Sequence, residues 1–112
     1  MKVMYISAED AVTLVANDDE FVGYKTLSDA VGGMIEAVSL PSGMTLWVNE
    51  EGKLNGLPVN RVATDLLTRE FGQSFDTIVG NAIITGGADD EGETLGLTND
   101  QVATLVANLG TA

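Results

Sequence analysis

The carboxylates, amides and cations most able to act together in this chain fall in one stretch, "NEEGKLNGLPVNR", positions 49–61. Glu50 and Glu51 supply acceptors, Lys53 and Arg61 supply positive charge, and Asn49 and Asn60 supply amides that both donate and accept. Set before a helix, free backbone amides together with Arg61 would draw an anion, while Glu50 or Glu51 would accept hydrogen bonds from a sugar or a base. A connector accounts for part of the same stretch. Asn55-Gly56 is a strong turn dipeptide, Gly52 fits a left-handed turn, and Pro58 suits the first turn of a helix. Turn geometry leaves Glu50, Glu51, Lys53, Asn60 and Arg61 unexplained. With Asn49, Gly52 and Glu36 they form the candidate set for binding a ligand or partner. Glu36 joins it as a lone carboxylate among apolar neighbours, a placement that favours the open face of a strand.

Catalytic chemistry is narrow here. The chain has no cysteine and no histidine, which removes disulfides, thiolates, imidazole bases and the usual zinc ligands. The adjacent pairs Glu50-Glu51 and Asp89-Asp90 lack a spacing that would set two carboxylates on one substrate, since neighbours in a strand face opposite ways. "ADDEGET" (88–94) crowds its acids together and lacks the twelfth-position glutamate of a calcium loop, so an acidic turn is expected. Gly32-Gly33 follows a helix and precedes a strand, the reverse of a phosphate cradle. No catalytic residue, metal ligand or cofactor is assigned.

The 112 residues suffice for one hydrophobic core, and 45% hydrophobic content against 20% charged argues for a folded single domain, 1–112. Seventeen acidic against five basic side chains give a net charge of −12. Phosphate backbones need lysine and arginine to displace their counterions, so direct nucleic-acid binding is disfavoured. Solubility, attraction to a basic partner and imitation of a nucleic acid remain. No apolar run approaches a membrane span and no targeting signal opens the chain, so a soluble protein of the cytoplasm is expected.

The elements that must position these groups follow from periodicity. Lys2–Ser7 is apolar on both sides, hence a strand covered on both, and β-branched residues make 11–16 a second strand. "NDDE" (17–20) is a turn. A short helix is expected over 27–32, capped by Thr26 with Asp29 and ended by Gly32-Gly33. Segments 34–40 and 44–49 flank Pro41-Ser42-Gly43 as a hairpin. Val59, Val62, Ala63, Leu66, Leu67 and Phe71 place an amphipathic helix over 58–71, with Asp65 spaced to pair with Arg61 and Arg69. "FDTIVGNAIITGG" (75–87) reads as a central strand interrupted at Gly80, and 95–97 as a brief one. Thr98 and Gln101 open a last helix over 99–109, stopped by Gly110. The fold class is α+β, an antiparallel-rich sheet with helices packed against it.

Three blocks, "VGGMIEAVSL", "WVNEEGKLNGLPVNR" and "DTIVGNAIITGGADDEGETLGLTNDQ", resemble a small domain of unknown function common in bacteriophages, plasmids and actinobacterial genomes. The resemblance spans about 27–109, and the N-terminal segment around "NDDEFVGYKT" departs from its pattern. It implies a non-enzymatic accessory protein that acts in the host cytoplasm on a host protein or a small signalling molecule, in host takeover or anti-defence. Two alternatives are an acidic nucleic-acid mimic and a divalent-cation-dependent carboxylate enzyme. Exposed strand edges leave homo-oligomerisation open.

Overall fold

Strands that are apolar on both sides need cover on both sides, and that requirement shapes the molecule. The computed structural model describes residues 1–109. In chain order it contains β1 (Lys2–Ile6), β2 (Val12–Ala16), α1 (Tyr24–Val31), β3 (Ile35–Ser39), β4 (Thr45–Asn49), α2 (Arg61–Phe71), β5 (Ala82–Thr85) and α3 (Asn99–Asn108). The five strands form one sheet in the order β2-β1-β5-β4-β3, and each neighbouring pair is antiparallel. The class is α+β.

On one face Val3 and Ile83 meet Leu27 and Val31 of α1, with Ile35 and Trp47 packed around them. On the other, Met4, Ile6, Leu46 and Ile84 meet Ala63, Leu66 and Leu67 of α2 and Leu105 of α3. All four residues of β5 are buried. β2 and β3 are the edges, and every residue of β2 is exposed.

Several boundaries differ from expectation. α1 starts at Tyr24 behind Gly23, with no side-chain cap; Thr26 lies inside it, and Asp29 pairs with Lys25 at 2.7 Å rather than reaching back to a cap. α2 starts at Arg61 rather than at 58, because Asn60 is the cap and accepts from the Ala63 amide. Val59 therefore leaves the apolar stripe; it is half exposed and bridges Val79. Asp65 does not tie the two arginines together: Arg61 pairs with Asp10, and Arg69 donates to the Asn108 carbonyl at 2.6 Å. The strand expected over 75–87 is confined to 82–85, since Asn60 N–H bonds to Ile78 O and Gly80 N–H to Pro58 O, turning 78–80 away from the sheet. Gly80 is indeed a close contact, with φ +77° and room for no Cβ beside Leu57 Cδ1. α3 carries the expected capping box of Thr98 and Gln101. The proposed stop at Gly110 lies outside the described residues.

Candidate functional site

The 50–56 segment leaves β4 as a run of turns. Asn49 begins it: its side-chain oxygen accepts from the Glu51 amide at 2.8 Å, while its Nδ2 donates to the Val31 carbonyl at 3.2 Å and so ties the turn to the end of α1. Gly52 is buried and does not adopt positive φ, which corrects its expected role. A Cβ there would stand 2.9 Å from Val79 Cγ2 and 3.3 Å from Asn49 O, so any other residue would have to displace the packed turn. These contacts press the turn against the 76–79 segment.

Across that contact Lys53 Nζ reaches Asp76 Oδ1 at 2.6 Å. The hydrogen bond from Lys53 is the main reason that the Asp76 carboxyl is held below its usual range; partial burial opposes it, and the Thr77 amide assists. Both side chains stay open to water, 61% and 48% exposed. Around the pair lies an open cleft of about 230 Å³ bordered by Glu36, Asn49, Glu50, Lys53 and Asp76, with Ile78 at its base. Its rim holds three carboxylates and one ammonium.

The structure thus brings Glu36, Asn49, Glu50 and Lys53 of the candidate set together, and separates the rest. Glu51 is exposed and does not border the cleft. Arg61 is engaged with Asp10, which holds the guanidinium charged through a hydrogen bond first and charge attraction second. Asn60 is fully buried, and its amide is spent: Nδ2 donates to Ile6 O and Gly80 O, each at 2.9 Å, while Oδ1 caps α2. Its role is to anchor the loop. Asp76 and Thr77 border the cleft without any local sequence signal that would place them there. The one available signal was Lys53 itself, a cation in a very acidic chain that needs a partner somewhere.

In the 88–94 turn, Asp89 Oδ1 accepts from both the Glu91 and Glu93 amides at 2.9 Å, so its carboxylate organises the loop. Among the described residues no three acidic side chains gather as a metal site, and no helix is long and apolar enough to cross a membrane.

A family model described as a domain of unknown function, DUF3846, matches residues 1–110. The chain belongs to the DUF3846 family. The match starts at residue 1, so the DUF3846 domain takes in β1, β2 and the "NDDEFVGYKT" segment as well as the blocks from 27 onward. No curated protein and no solved structure matches the chain significantly.

Proposed function

We propose that this DUF3846 protein acts by binding and not by catalysis, as an accessory protein of phages or other mobile elements that occupies a host protein, or takes up a small signalling molecule, in the host cytoplasm. One observation carries this reading: Glu36, Asn49, Glu50 and Lys53, distant in sequence or left over from turn geometry, border a single cleft completed by Asp76. The cleft is polar and held by a pinned turn, and its charged rim offers the electrostatic complementarity by which a partner is selected. The test is affinity capture from the natural host with quantitative mass spectrometry of protein and small-molecule fractions. A variant with Glu50, Lys53 and Asp76 all changed to alanine should lose what the wild type retains, while Arg61→Ala, whose guanidinium sits with Asp10, should retain it. Equal capture by the triple variant overturns the reading.

A second reading, nucleic-acid mimicry, draws support from the placement of two acidic tracts. The Val22 amide bonds to the Thr94 carbonyl at 2.8 Å, so Asp18, Asp19 and Glu20 run out from one end of this junction and Glu93, Glu91 and Asp90 from the other. Mimicry requires a partner whose affinity falls steeply with salt, as attraction between exposed charges does when screened. Salt-insensitive binding would eliminate it. A divalent-cation carboxylate enzyme draws no comparable support from the described residues.

A further inference from the structure

β3 ends the sheet, and its unpaired side is set by the phase of its bonds to β4. Glu50 N–H bonds to Met34 O, and Leu40 N–H to Met44 O. In an antiparallel ladder the paired residues alternate, so Met34, Glu36, Val38 and Leu40 direct their backbone groups to β4. Ile35, Ala37 and Ser39 then point their N–H and C=O groups away from the sheet. No Lys or Pro lies within β3 to discourage another strand.

Beside this edge runs a shallow groove of about 500 Å³, floored by Val38, Val48, Phe71 and Ile78 and walled by Phe75. Phe71 and Phe75 stack with ring centroids 4.3 Å apart, yet Phe75 remains 54% exposed. The groove shares Glu36, Val48, Asp76 and Ile78 with the cleft described above, so the two are one continuous depression. Its polar end carries Glu36, Glu50 and Asp76 against Lys53 alone, and the whole chain carries −12.

We propose that the open edge of β3 with its adjoining groove receives an extended basic segment of a partner protein as a sixth strand of the five-stranded sheet. This deepens the binding reading above and rests on it. Main-chain bonds to Ile35, Ala37 and Ser39 supply attachment, and side-chain alternation supplies selection. Every second side chain of the incoming strand faces the groove, about 7 Å apart. One such position, apolar or aromatic, lies over Phe75 and Val38; the next, a lysine or arginine, meets Glu36 and Glu50. A second copy of this chain would bring its own negative charge and fits the rim poorly.

The probe is a synthetic strand-forming peptide in which arginines alternate with β-branched residues and a phenylalanine stands two positions from an arginine. Its control carries glutamate in place of each arginine. Titrated into the full-length protein and followed by amide NMR and hydrogen exchange, the basic peptide should shift and protect the amides of Ile35, Ala37 and Ser39, and the acidic one should not. Ala37→Pro removes an outward donor at a position where an edge strand tolerates proline. It should weaken binding on the order of tenfold with the fold intact by melting temperature. Glu36→Lys, a surface charge reversal, should abolish the preference for the basic peptide. Equal binding of both peptides, shifts centred on β2, or an unaffected Ala37→Pro would overturn strand addition, and so would protection of β3 that grows with protein concentration alone. If Ala37→Pro still captures the partner that the Glu50, Lys53 and Asp76 variant loses, the cleft stands and strand addition falls; if neither variant matters, both fall.

Discussion

The side-chain amide of Asn60 spans 54 positions of chain to reach the main-chain carbonyl of Ile6 at 2.9 Å. The same nitrogen serves Gly80 O, and the oxygen caps α2, so one buried residue joins β1, the segment before β5 and the start of a helix. Asn60→Ala removes the cap and strands two carbonyls out of reach of water. The expected loss of stability is about 2–4 kcal/mol, measured by urea unfolding of Trp47 fluorescence, the only tryptophan of the chain. Asn60→Asp keeps the cap but turns a carboxylate toward two carbonyl oxygens. Burial and those dipoles raise its folded pKa above the unfolded value, so the charged form is disfavoured. The variant should therefore be closest to wild type below the unfolded carboxylate pKa, about 4, and fall further behind as pH rises through the raised folded value. A pH-independent deficit would refute that assignment.

Gly80 and Gly56 both adopt left-handed backbone, φ +77° and +69°, but only Gly80 is crowded, a built Cβ meeting Leu57 Cδ1 at 2.7 Å. Gly56→Ala should cost about 1 kcal/mol, the backbone penalty alone. Gly80→Ala adds a clash within the junction of 57–60 with 78–80 and should cost about 2–3 kcal/mol. Equal effects in parallel denaturation curves would mean that Leu57 moves aside freely.

Local patterns in the sequence carried most of the fold. The alternation in Lys2–Ile6, the hairpin around Pro41-Ser42-Gly43 and the Thr98-Gln101 capping box each depend on neighbours a few residues apart, and each forms. Where a distant partner decides, local reading fails. Ile78 and Val79 have strand character, yet Ile78 O accepts from the Asn60 amide, Ile78 N–H donates to Thr64 Oγ1 and Gly80 N–H donates to Pro58 O, which draws the segment to the start of α2. Asn60 looks like a surface polar group in a charged loop until β1 and Gly80 close around it. Lys53 could be singled out as a cation, but Asp76 lies 23 positions away across a helix, and nothing local links the two. Three of the residues around the cleft, Asn49, Glu50 and Lys53, emerged from the turn chemistry at 49–53, and Glu36 from its place as a lone carboxylate in an apolar strand; the aromatic groove beside them depends on how the chain returns after Gly72.

The Lys53–Asp76 bond makes its own modest claim on stability. Because Lys53 holds the Asp76 pKa down, the contribution is present above the unfolded carboxylate pKa and is lost as pH falls through the lowered folded value. Both groups are well exposed, so solvent screening limits the pair to about 0–1 kcal/mol. Asp76→Asn, which keeps an acceptor for the Thr77 amide, should lie within that margin of wild type at neutral pH and match it in acid. A larger gap, or one that persists below the Asp76 pKa, would show that Asp76 does more than pair with Lys53.

At the opposite edge of the sheet, β2 exposes Val12, Leu14 and Val15 and contains no charged residue. It is exposed along its whole length and, among the described residues, its outer side pairs with no strand, so those backbone groups can meet another strand. Apolar attraction at this edge competes with the repulsion between molecules that each carry −12. Salt shifts that competition, since the screening length drops from about 10 Å at 0.1 M to about 3 Å at 1 M. Self-association should therefore increase with ionic strength, the reverse of an ion-pair interface. Leu14→Lys places a charge on the exposed edge and should suppress the effect while changing stability by no more than about 0.5 kcal/mol, the usual range for a surface site. Sedimentation velocity of both proteins across a salt series decides the matter: association that weakens with salt, or that survives Leu14→Lys, would assign self-contact to some other surface.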